Sequence, residues 1–261
     1  MLEQEHIVKN RLLTIGYSTL AARLTNIVPP IINVEHEIFI SIQNPSGIEI
    51  DLPKNFEFQF AQSQEKGVAK SRNVVIDSST TKYLLFADDE IVFLEDGVKS
   101  VISYLESNPD CDMVLAQAMD PKGALRKKYP SGIVQLSKYN SAKAATYEMI
   151  IRVESIKSKG VYFDETFGAG VENYLGDEYI FISDLIKKGG KAVFLPVTIA
   201  IHPEESSGSR WGTEHDLRAR AQVFQRVFGV LAPLIRATFY IKNYRKLGGL
   251  KNIVKFIIGR F

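Results

Sequence analysis

The chain has 261 residues, 45% hydrophobic and 24% charged, with a net charge of +2 and a single cysteine, Cys111. That length suits one α/β domain with an appendage, and the composition excludes a disordered chain, a disulfide-stapled domain and a general nucleic-acid binder. No apolar run approaches the roughly 18–20 residues that a bilayer span needs, and the polar segment Met1–His6 lacks a signal-peptide apolar region, so a cytoplasmic location is expected.

Leu12–Gly16 predicts a short strand that breaks at Gly16–Thr19, followed by a helix near 20–28 that stops at Pro29-Pro30. Glu37–Ile42 predicts a second strand, ended by Gln43–Gly47, and Phe56–Phe60 alternates like a third. Residues 67–78 are expected to be helical. Tyr83–Ala87 is a continuous apolar run of the kind buried in parallel sheets. Asp96 can cap a helix through about 107, closed by Asn108-Pro109, and Met113–Ala118 predicts another strand. The stretch from 120 to 150 shows no clear period. Tyr179–Lys188 predicts a helix ended by Gly189-Gly190, and Lys191–Leu195 a strand before Pro196. From Asp216 on, Leu217, Ala221, Phe224, Phe228 and Leu231 fall three and four apart, an amphipathic helix broken or kinked at Pro233. Strands alternating with helices predict an α/β fold with a mostly parallel, doubly wound sheet. The expected division is a domain over 1–212 and a helical extension over 213–261.

The chemistry concentrates where such a sheet binds ligands, beyond the carboxyl ends of its strands. Asp88-Asp89-Glu90 sits there. Adjacent carboxylates repel one another, and a hard divalent cation that also meets a diphosphate would relieve them. The plainer reading is a turn whose acids cap backbone N–H groups. Arg72, in Gly67–Asn73, offers a planar fork for phosphate or base; the alternative is a solvated arginine at a helix start. Asp177 and Glu178 open a helix after Gly176, either as acids favoured by the helix dipole or as a general base. His202 follows a strand and reads as a transition-metal ligand, a phosphate contact or a structural histidine. No Gly-x-Gly-x-x-Gly follows the first strand, which argues against a dinucleotide-binding oxidoreductase.

The order and spacing of these pieces resemble the family 2 glycosyltransferases of the GT-A fold. The matching pieces are Gly67 with Arg72-Asn73, Asp88-Asp89-Glu90, Phe163-Asp164-Glu165-Thr166-Phe167, and Gly176-Asp177-Glu178 followed by Phe181, over about residues 10–205. Two departures stand out. Gln43 takes the place where the family often has a base-contacting Asp, and the family's Gly-Glu-Asp is here Gly176-Asp177-Glu178.

The resemblance implies an inverting transfer of a sugar from a nucleotide-sugar donor to a glycan or lipid-linked acceptor, in cell-surface polysaccharide or glycan synthesis. It implies Mg²⁺ or Mn²⁺ held by Asp88 and Glu90, with His202 completing the site or touching the diphosphate. It also implies a donor pocket lined by Thr14, Gly16, Tyr17, Ser18 and Gln43, with Arg72, Asn73, Asp88 and Asp89 on the donor. Glu178, matched by position, or Asp177, matched by residue type, is implied as the base. Residues 204–211 are a candidate lid, and Trp211 either stacks on a sugar or lies in the core. The rivals are a nucleotide-sugar-binding relative without turnover and a metal-dependent nucleotidyltransferase.

Charge is unevenly placed. Residues 217–261 hold ten Lys or Arg and no Asp or Glu, so with +2 overall residues 1–216 carry −8. Basic residues interleaved with Phe239, Tyr240, Tyr244, Ile253, Phe256 and Phe261 suggest an interfacial segment at an anionic membrane, peripheral to its inner face. The alternatives are a helix pair packed on the domain or a homodimer contact.

Overall fold

A computed structural model describes residues 11–202, 211–249 and 252–261. The strands are β1 Leu13–Leu20, β2 His36–Gln43, β3 Gln59–Ser63, β4 Tyr83–Ala87, β5 Val92–Phe93, β6 Met113–Met119, β7 Val134–Gln135, β8 Met149–Arg152 and β9 Ala192–Ile201. The α-helices are α1 Val68–Ser78, α2 Glu95–Ser107, α3 Val153–Ser158, α4 Asp177–Lys187, α5 Glu214–Phe228, α6 Ala232–Asn243 and α7 Ile253–Ile258.

All nine strands form one sheet in the order β3-β2-β1-β4-β8-β6-β9-β5, with β7 paired to β9. The longer neighbours β3-β2, β2-β1, β1-β4 and β6-β9 run parallel. The strand β8 enters antiparallel between β4 and β6. Helices cover both faces. On one, Leu13, Ile15, Tyr17, Ile40, Ile42 and Leu85 pack with Val98, Val101 and Leu105 of α2. On the other, Phe39, Leu84 and Phe86 pack with Val75 and Ile76 of α1 and Phe181 and Leu185 of α4. Burial on both sides is why these strands read as unbroken apolar runs. The expected α/β class with a mostly parallel sheet is what the chain adopts.

Several boundaries differ from the expectation, each for a physical reason. The break at Gly16 does not occur: β1 pairs with β2 through Leu20. Gly16 instead allows close packing, because a Cβ there would lie 2.1 Å from Cγ1 of Val75. The helix expected over 20–28 is a 3₁₀ helix over Ala21–Asn26. The third strand lies at Gln59–Ser63, while Phe56 and Phe58 pack as partly buried side chains against the first core. Pro196 does not end β9. The register with β6 jumps from Leu115–Phe194 to Gln117–Thr198, a bulge that absorbs the residue lacking an N–H.

Helices α5 to α7 build a third core with α4. It contains Leu217, Phe224, Phe228, Tyr240 and Phe256 beside Tyr179 and Ile180. Thr213 caps α5 by accepting from the Asp216 amide. Buried Arg236 of α6 donates to the Ala221 carbonyl of α5 and the Ile257 carbonyl of α7, joining the three helices.

Candidate active site

Parallel pairing brings the carboxyl ends of β2, β1 and β4 to one edge of the sheet. Asp88 follows β4 directly, and the N-terminus of α4, which packs on the same face of the sheet as α1, reaches this edge. Gly176, at φ 91°, caps α4 where a Cβ would lie 2.5 Å from Val223 Cγ2, so only glycine turns the chain there unstrained.

Three carboxylates converge on Arg72. Its guanidinium bonds Asp177 and stands 3.4 Å from Asp88 Oδ1 and 3.5 Å from Glu178 Oε1. It also lies 5.6 Å from the centre of the Phe163 ring. Burial by itself would lower the Arg72 pKa, but Asp177, Asp88 and Glu178 carry it upward, so the guanidinium is charged. Asp177 is 3% exposed. Burial and the neighbouring Glu178 carboxylate push it up to about 7, against the pull of Arg72. Three acids thus share one buried cation.

Asp177 and Glu178 differ in access. Asp177 is spent on Arg72 inside the protein. The Glu178 side chain is 21% exposed, and its Oε1 accepts from Thr146 Oγ1 at 2.8 Å. Asp88 is 32% exposed on the same edge. A carboxylate that is oriented, partly open and beside a charged arginine can accept a proton from a bound hydroxyl.

The rest of the acidic triplet turns the other way. Asp89 Oδ2 accepts from Thr19 at 3.1 Å and pairs with Arg23 at 2.6 Å. Glu90 Oε1 meets Arg23 at 3.0 Å and Asn26 at 3.2 Å. Burial raises the Asp89 pKa, with Arg23 opposing. The protein's own arginine therefore does much of the neutralising that the sequence assigned to a metal. Among the described residues, no group of three or more His, Cys, Asp or Glu side chains is placed to hold a metal ion. The His202 ring stacks on Tyr147 with centroids 4.6 Å apart. The donor set fits a cation that arrives with phosphates and is met by Asp88, since Mg²⁺ and Mn²⁺ sites often take only one or two carboxylates. It does not fit a preassembled Asp88–Glu90–His202 cage.

The other expected donor-binding residues have the following places. Thr14 is buried in β1, bonded to Glu37 and Thr81, well before the strand's carboxyl end. Gly16 packs under α1, and the Tyr17 hydroxyl donates to the Val28 carbonyl from the first core. With β1 ending at Leu20, the edge belongs to Ser18 and Thr19. Ser18 Oγ is buried and has no hydrogen-bond partner, a polar atom left open at the strand end. Gln43 accepts from the Gly67 amide at 2.9 Å, so its carbonyl oxygen anchors the start of α1. Asn73 clamps the Phe163 backbone in both directions, donating to its carbonyl at 3.0 Å and accepting its amide at 2.8 Å.

Trp211 stacks on Phe239, and Arg220 lies 4.0 Å over its ring, so it is anchored to the helical extension. The lid residues 204–210 lie outside the described residues. Sequence reasoning missed Arg23 and Thr146. Neither carries a local signal, because each reaches the site only through the neighbouring of β1 with β4 and of residues 146–148 with α4.

No protein-family model matches the sequence, and curated proteins give no match. Solved structures do share the fold. Staphylococcus aureus TarS is 13% identical with a TM-score of 0.57 over 92% of this chain, which spans 44% of that protein. Its fragment 1–349 is 11% identical with a TM-score of 0.60, over 94% of this chain and 74% of the fragment. The same fragment has been solved in complex with UDP-GlcNAc, and there the identity is 12% and the TM-score 0.58, over 95% of this chain and 79% of that one. This chain is similar in fold to the GT-A-like structure of TarS.

Proposed function

We propose that this protein transfers a sugar from a nucleotide-sugar donor to an acceptor hydroxyl. The observation that carries the reading is the Arg72-centred cluster at the sheet edge, which sets an open Glu178 across from Asp88. The neighbour solved with UDP-GlcNAc makes that compound the first donor to try.

Glu178, held by Thr146, takes the acceptor's hydroxyl proton. The acceptor oxygen bonds to the anomeric carbon as the bond from that carbon to the diphosphate breaks, and the nucleoside diphosphate leaves with the electron pair. Attack from the face opposite the leaving group inverts the anomeric centre, as the family resemblance implies. Asp88 would hold Mn²⁺ or Mg²⁺, which when bound supplies positive charge to the leaving diphosphate. Arg72 stays charged and keeps Asp177 from competing as the base. Ser18 and Thr19 line the donor edge. Glu90 would join the cation only on leaving Arg23. The acceptor is proposed to be a glycan or a lipid-linked glycan, in cell-surface polysaccharide synthesis.

Thermal shift with nucleotide sugars, with and without Mn²⁺, tests the reading on wild type, Asp88→Ala and Glu178→Gln. A donor at 100 times its dissociation constant should stabilise by about 2.7 kcal/mol. The expected result is a shift with one donor that Asp88→Ala loses and Glu178→Gln keeps. No shift with any nucleotide or nucleotide sugar would overturn it.

A further inference from the structure

The last 45 residues hold no acid, and the structure shows where their charge and apolar surface lie. Helix α6 buries Ala232, Arg236 and Tyr240, four apart, on one side. On the opposite side are Leu234 and Ile241, 64% and 68% exposed, with Thr238 between them. Val230, just before the helix, is 95% exposed. Helix α7 packs against α6 through Phe256 and leaves Val254 and Ile258 more than half exposed. A helical row of bare aliphatics is costly in water unless something covers it.

The charges divide into two sets. Arg218, Arg220 and Arg226 are paired with Glu172, Asp216 and Asp184. Lys242, Arg245, Lys246, Lys255 and Arg260 are exposed and form no salt bridge with a described residue. Lys242 lies in the last turn of α6 with Arg245 and Lys246 just beyond it, and Lys255 lies in α7 with Arg260 just beyond it. The cations nearest the body are neutralised, and the ones beside the apolar row are left for a partner.

We propose that α6 and α7 dock the protein on an anionic lipid bilayer surface. Aliphatics four and seven apart on one side of a helix, flanked by lysines and arginines, suit the boundary between headgroups and acyl chains. Arg245 meets the Tyr244 hydroxyl and Lys246 lies 5.2 Å over the Trp211 ring, but no described carboxylate neutralises any of the five, and such cations complement acidic headgroups. This inference does not rest on the transferase reading, because it uses none of the residues at the sheet edge.

The test is co-sedimentation of the full chain with vesicles of phosphatidylcholine alone and of phosphatidylcholine with phosphatidylglycerol. Wild type should bind only the anionic vesicles, and less as salt rises. Leu234→Glu/Ile241→Glu, both at exposed positions, should abolish binding. Lys242→Gln/Arg245→Gln/Lys255→Gln should weaken it by roughly a hundredfold, at about fivefold per removed charge. Both variants should keep the wild-type melting temperature. Failure to bind, equal binding to neutral and anionic vesicles, or undiminished binding by the variants would overturn the proposal. So would a dimer, seen by analytical ultracentrifugation, that Leu234→Glu/Ile241→Glu dissolves without any vesicle binding.

Discussion

Replacing Arg72 with methionine keeps most of the side-chain volume and removes the buried charge. Asp177 then remains 3% exposed beside Glu178 with its guanidinium partner gone. Breaking a buried ion pair from one side typically destabilises by about 3–5 kcal/mol. For a chain of this length 1 kcal/mol moves the melting temperature by about 2 °C, so the loss should reach roughly 6–10 °C. The loss must depend on pH. Asp177 is raised to about 7 in the folded protein, above its unfolded value of about 3.9. A carboxyl raised on folding favours the protonated native state, so its contribution falls as pH climbs from the unfolded value through the folded one. Wild type should show this fall between about pH 4 and 7, at no more than about 1.4 kcal/mol per pH unit. Without Arg72 the folded value rises further, and the fall continues above pH 7. Urea or thermal denaturation at pH 5 and pH 8.5 should therefore find Arg72→Met mildly destabilised at the lower pH and strongly at the higher. Arg72→Met/Asp177→Asn should recover most of the loss at pH 8.5. Equal losses at both pH values would refute the buried-charge argument and leave only packing.

Glu178→Gln should lower transfer by roughly 10²–10⁴-fold while donor binding is retained, measured by steady-state kinetics beside calorimetry. Thr146→Val, which removes the orienting bond to Glu178 from a buried position, should lower transfer less than Glu178→Gln does and cost about 1.5–3 kcal/mol of stability, measured by kinetics beside urea titration. Arg23→Met leaves Asp89 and Glu90 without their cation, so Mn²⁺ alone should then raise the melting temperature where it does not in wild type. Gly16→Ala should destabilise by about 1–3 kcal/mol in urea titration, since its Cβ would overlap Val75 and approach Leu84 Cδ1 to 2.9 Å.

Much of the sheet edge could be read from local chemistry. The run Tyr83–Ala87 with acids behind it reads as a buried strand with a polar end, and the small residues of Gly67–Ser71 before Arg72 read as the start of a helix that allows close backbone approach. The roles within the edge were not readable in the same way. Gln43 and Asn73 read as ligand contacts because an amide looks the same whether it meets a base or a backbone. The fold turns both inward, onto Gly67 and Phe163. Asp177 and Glu178 are adjacent in sequence and equally acidic, and burial separates them: one is closed on Arg72 and the other open beside Thr146.

The sequence by itself determined the alternation of strands and helices, the acids beyond β4, the acidic start of α4 and the acid-free basic extension, because each is a matter of period, composition or spacing along the chain. Tertiary structure decided that Arg23 faces the acidic triplet, that β8 runs antiparallel between β4 and β6, and that Arg72 serves three carboxylates at once. Those outcomes depend on which strands become neighbours. The sheet's order places residue 23 beside 89 and 72 beside 177, and separation along the chain carries no trace of that.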